Sequence, residues 1–132
     1  MNNAPDGAEL LRVARKVLRE QLLPGIAEDR RYEALMVANA MAIAARELKA
    51  GESDLREELR MLTQFYGDTT VGESGNSMKD KVASLNRRLA KDIRSGVLDG
   101  ACAQGVRALL KAQVTARLRI SNPKYLKAVG LE

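Results

Sequence analysis

The sequence predicts an all-α protein, a bundle of about five amphipathic helices. Apolar residues recur at the 3.6-residue helical period in five separate stretches, and no segment shows the β-branched, period-two alternation of a strand. Pro24-Gly25, Gly51, Gly96 and Pro123 punctuate those stretches. A length of 132 residues is that of one domain, here 1–132, large enough for an ordinary core, with 1–7 and 127–132 expected to be loosely ordered.

The first helix is predicted from Ala8 to Leu23, with Leu11, Ala14, Val17 or Leu18, Gln21 and Leu22 inward, ended by Pro24-Gly25. The second runs from Asp29 to Ala50, with Gly51 as its C-terminal cap. Ser53 is a good N-cap for the third, which should bury Leu55, Leu59, Leu62 and Tyr66. Residues 67–76 hold three glycines and read as a flexible loop. Ser77 and Asp80 are spaced as a variant capping box for the fourth helix, whose stripe is Val82, Leu85, Leu89 and Ile93, closed by Gly96. Asp99 caps the fifth, which aligns Val106, Leu109 or Leu110, Gln113, Arg117 and Ile120. Pro123 stops it, because the residue before proline avoids helical angles.

Composition removes several classes of function. Histidine is absent, and with it the commonest general base and metal ligand; the single Cys102 allows neither a disulfide framework nor a thiolate cluster. Cys102 near the start of the fifth helix, with no histidine to activate it, reads as a small half-buried residue. Aromatic residues are 3% of the chain, few for a platform that stacks bases. No apolar run is long enough to span a membrane, and Met1–Gly7 lacks the basic start of a secretory signal, so the expected setting is cytoplasmic. These absences lead to the expectation of a non-enzyme with no cofactor and no metal.

The net charge of +5 is unevenly placed. Up to Tyr66 there are 10 basic residues against 11 acidic; from Gly67 onward there are 12 against 6. Between Gly100 and Gly130 no acid appears, and Arg107, Lys111, Lys124 and Lys127 form a candidate surface for an anion or partner.

Asn39 is the sharpest anomaly. It shares a helical face with Tyr32, Met36 and Ile43 in the most apolar stretch of the chain, where an unpaired amide would cost about 1–3 kcal/mol. Asn86 repeats the intrusion on the fourth helix, and Arg46 extends the Asn39 face. Asn39, Arg46 and Asn86 are therefore a candidate polar core or pocket. A contact between the second and fourth helices, a seam between two copies of the chain, and a ligand pocket all remain open. Glu33, Glu47, Glu57 and Glu58 read as a solvated face. The loop Gly67–Ser74 imitates a phosphate-binding loop, but Glu73 stands where the phosphate-reaching lysine belongs and no strand precedes it.

Three segments carry a resemblance: Arg31–Ala40 with Arg46-Glu47-Leu48, Leu85–Leu89 with Ile93–Gly96, and Leu118–Leu126. Together they resemble an uncharacterised bacterial all-helical domain family of unknown function. The resemblance implies a helical fold and genes that travel with an aminoglycoside-phosphotransferase-like kinase and an acyl-CoA dehydrogenase. It supplies no catalytic residues to carry over. The expectation is a helical accessory protein with a protein partner, or a homodimer; binding of an anion or nucleic acid is the alternative, with no membrane involved.

Overall fold

The computed structural model describes residues 3–67 and 76–131, and these are predominantly helical, with no strand among them. The phosphate-loop-like spacing and most of the expected glycine-rich loop, residues 68–75, lie outside the described residues. The helices are α1 (Gly7–Val17), α2 (Arg31–Ala50), α3 (Glu52–Tyr66), α4 (Asn76–Ser95), α5 (Ala103–Ser121) and α6 (Pro123–Ala128). They gather into two compact units, residues 1–51 and 52–132.

The first unit is a hairpin of α1 packed on α2. Asp6 opens it with a reciprocal cap. Its carboxylate accepts from the Glu9 amide at 2.8 Å, and the Asp6 amide donates to the Glu9 carboxylate at 2.9 Å. Past Val17 the chain widens into a π-helical turn, Leu18–Leu22, then tightens into a 3₁₀ turn at Leu23–Gly25. Leu18, not Val17, is the inward choice, while Ala14, Val17, Gln21 and Leu22 are exposed.

On α2 the packed stripe is alanine: Ala38 and Ala45 are buried, with Ala34 and Ala42 half-buried beside them. Small side chains let the two helices approach closely, and a Cβ on Gly7 would lie 3.3 Å from Leu48 Cδ1. The core of the hairpin is thin as a result. Several larger apolar residues stay outside: Leu10, Val13 and Val17 line one exposed face of α1, and Tyr32, Leu35 and Met36 are exposed on α2. Gly51 ends α2 as expected, at φ 58°, its amide donating to the Glu47 carbonyl.

The second unit holds the larger core. Leu59 and Leu62 from α3 meet Met78, Val82, Leu85 and Leu89 from α4 and Leu109 from α5, with Leu55 and Tyr66 partly buried against them. The α3 stripe is therefore the expected one. Ile93 at the end of the α4 stripe is exposed, and Met78, one turn before it, is buried instead. Asp99 precedes a 3₁₀ turn, Gly100–Cys102, with no side-chain cap. At the α5–α6 junction Asn122 leaves the helical region, and its side chain accepts from the Tyr125 amide at 3.2 Å. Leu126 on α6 is fully buried, and residues 129–131 close the helix with backbone hydrogen bonds.

Candidate functional site

The two asparagines occupy different units. Asn39 is exposed on α2, which corrects its expected place on a core-facing stripe. The physical reason is that alanines, not the bulkier Tyr32–Met36–Ile43 face, pack on α1. Asn86 is half-buried, and its partners are Glu58 and Gln113 rather than a residue of the second helix. Its Nδ2 donates to Glu58 Oε1 at 2.9 Å, and Gln113 Nε2 donates to the same oxygen at 3.1 Å. Gln113 Nε2 also donates to Asn86 Oδ1 at 2.8 Å. Three helices, α3, α4 and α5, are thereby tied at one point. Glu58 had read as solvated, and its half-burial among two amides corrects that. The trio carries no nucleophile, and its amide donors are spent on one another, which is the chemistry of a register lock.

A second cluster lies along α3 and α4. The Tyr66 hydroxyl donates to Asp92 Oδ2 at 2.8 Å. Arg88 lies 4.0 Å above the Tyr66 ring centroid and pairs with the same carboxylate oxygen at 3.7 Å. Burial, then the hydrogen bond to Asp92 and the negative charge of that carboxylate, push the Tyr66 phenol up to about 12, against the opposing charge of Arg88. Glu57 behaves as a surface acid: its bidentate bonds with Arg60 hold its carboxyl below the usual range.

Two concavities open on the hairpin. One, of about 440 Å³, is lined by Asp6, Gly7, Ala8, Glu9, Arg12, Leu48 and Lys49. The other, of about 640 Å³, is lined by Arg12, Arg15, Lys16 and Arg19, by Glu20, and by Ala42, Ala45 and Arg46 of α2. Of the three expected polar residues, Arg46 alone lines it. Its basic character is hidden in the sequence because Arg12, Arg15, Lys16 and Arg19 are diluted by acids in the count over the first half of the chain. Their spacing, i, i+3, i+4 and i+7, was the available signal.

Arg107, Lys111, Lys124 and Lys127 are all exposed on α5 and α6. Cys102 is exposed, not half-buried, because it ends the 3₁₀ turn before α5 instead of sitting on the helix's packed side. Among the described residues no three metal-ligating side chains converge, and no helix is long and apolar enough to cross a membrane.

These features define an all-helical protein with polar clusters at its helix contacts. Residues 24–125 match the model of the Domain of unknown function (DUF6285), and the chain belongs to that family. Helix α1, Gly7–Val17, precedes the matched segment. Neither the curated proteins nor the solved structures contain a match to the chain.

Proposed function

We propose that the chain is a non-catalytic accessory protein that docks on a partner protein through exposed apolar faces of the α1–α2 hairpin. The observation that carries this is the outward apolar surface: Leu10, Val13, Met36 and Tyr32 are 55%, 60%, 55% and 73% exposed. Leu10 and Val13 share one face of α1, and Tyr32 and Met36 one face of α2; exposed apolar faces mark interaction surfaces. Asn39 lies within the α2 face, between Met36 and Ile43 at heptad-like spacing. One amide in an apolar seam favours the partner that satisfies it and penalises others.

The proposed partner is an enzyme, either an aminoglycoside-phosphotransferase-like kinase or a member of an acyl-CoA dehydrogenase pathway, in a cytoplasmic setting. A second copy of the chain is the simplest competing occupant. Co-elution of the chain with the kinase-like enzyme on a sizing column at micromolar concentration tests the proposal. Met36→Glu should abolish co-elution while the circular dichroism stays unchanged, since the position is exposed in the free chain. Independent elution of the wild-type proteins, with kinase activity unaltered by the chain, overturns it.

A second reading has its own support. Arg107, Lys111, Lys124 and Lys127 are exposed and form no ion pair with any described residue. An anion or nucleic acid would find them unneutralised, and its affinity would fall steeply with salt. Charge reversal by Lys111→Glu with Lys124→Glu should remove RNA binding; unchanged binding refutes this reading.

A further inference from the structure

We propose that the basic groove of the α1–α2 hairpin is a binding site for a small ligand carrying two or more adjacent phosphoryl groups. Arg12, Arg15 and Lys16 from α1 and Arg19 from the turn that follows line the groove with Arg46 of α2, against the single acid Glu20. Elsewhere in the chain Arg30, Arg56, Arg60 and Arg88 each pair with a carboxylate three or four residues away. Arg12, Lys16 and Arg19 form no ion pair with any described residue. Like charges at i, i+3 and i+4 on one helix face repel, so the row is unfavourable until an anion neutralises it.

The groove also has the form of a site. Ala42 and Ala45 leave its floor open, and its volume of about 640 Å³ is in the range of small-molecule pockets. Arg15 Nε donates to the Ala38 carbonyl at 3.1 Å, which fixes its guanidinium over α2 and leaves the two Nη groups as its remaining donors. Guanidinium forks match phosphoryl oxygens two at a time. Arg12 and Arg19 stand seven residues apart, roughly 10 Å along a helix axis. A single phosphate would leave part of a row of that length and charge unneutralised, whereas two or three linked phosphoryl groups carry enough charge for all of it. Acids bound the row at both ends, Asp6 and Glu9 beyond Arg12 and Glu20 beyond Arg19. That arrangement favours a short polyanion over a polynucleotide.

Calorimetric titration of the full chain with pyrophosphate, tripolyphosphate and ATP, at about 0.15 M salt, tests the proposal. Tripolyphosphate and ATP should bind saturably, one per chain, and raise the unfolding midpoint. Equal affinity for the two identifies an inorganic phosphoryl chain as sufficient; tighter ATP binding identifies a nucleotide. Arg12→Gln with Arg19→Gln should weaken binding at least about tenfold, and Lys16→Gln alone several-fold, with helicity retained because repulsion is removed. Lys111→Gln with Lys124→Gln should leave it unchanged, which separates this site from the basic C-terminal helices. Absence of saturable binding by all three probes overturns the proposal, as does an unchanged affinity in the Arg12/Arg19 variant. RNA that binds more tightly than tripolyphosphate through the same two arginines also overturns it, in favour of a polynucleotide surface.

Discussion

Asn86→Leu tests whether the carboxylate–amide trio holds the second unit in register. The substitution strips Glu58 Oε1 of one of its two amide donors and Gln113 of its acceptor at Asn86 Oδ1. A hydrogen bond to a charged group contributes about 1.5–3 kcal/mol and a neutral one about 1 kcal/mol. All three residues are half-buried, so water recovers part of that loss. The expected destabilisation is about 2 kcal/mol, read in urea as a midpoint lowered by about 1 M with an unchanged slope. Gln113→Leu should cost about the same, and the double variant less than the sum, with a coupling of about 1 kcal/mol, because each single change leaves the other amide partly unsatisfied. Asn39→Leu is the internal control: the residue is exposed, and its loss should fall within about 0.5 kcal/mol of zero. A loss at Asn86 no larger than at Asn39, or strict additivity with Gln113, refutes the register lock.

Tyr66→Phe should flatten the alkaline dependence of stability. Tyr66 ionises near 12 when folded against an ordinary value of 10, so the folded state holds the proton more tightly. Its contribution is complete below about pH 10 and is lost as the pH rises towards 12. Urea midpoints across that window should fall more steeply in the wild type than in Tyr66→Phe, and equal slopes would count against the Tyr66–Asp92 contact. At the end of α2, Gly51 adopts φ 58° and ψ −138°, a region closed to most side chains, so Gly51→Ala should cost about 1–3 kcal/mol in chemical denaturation. Gly25→Ala is its control, since an added Cβ there meets nothing within 4 Å; if both cost the same, the backbone reasoning fails.

The helices were legible because breakers and period agree: Pro24-Gly25, Gly51, Gly96 and Pro123 punctuate five amphipathic stretches. The α3 stripe through Leu59 and Leu62 was readable for the same reason, since a wide core rewards large apolar residues at helical spacing. In the hairpin that rule points the wrong way. Alanines took the contact there, because a close approach of two helices excludes bulk, and the larger residues were left outside. Hence the face of Asn39 looked like core and is surface. Asn86 was correctly suspicious, but its partners depend on which helices neighbour α4, and a single sequence carries no pairing information. Glu58 illustrates the same limit. Beside Glu57 it looks like any surface acid, and only the arrival of Asn86 and Gln113 from other helices distinguishes it.

Helix α1 and the turn that follows it bear three different stripes. Ala8, Leu11, Arg15 and Leu18 turn inward. Arg12, Lys16 and Arg19 flank them on the side of the groove. Leu10, Val13 and Val17 lie roughly opposite the packed stripe, as their spacing at 100° per residue requires. A surface helix with one neighbour needs a single apolar stripe, so the second is a surplus that an isolated hairpin has no reason to keep. The stripes can be altered one at a time. Val13→Glu changes the apolar face and leaves the cations, whereas Arg12→Gln with Arg19→Gln does the reverse. Partner docking and phosphoryl binding therefore predict opposite patterns of loss in these two variants. Loss of both activities from either variant would mean that docking and ligand binding share one surface, with the ligand bridging the hairpin to its partner.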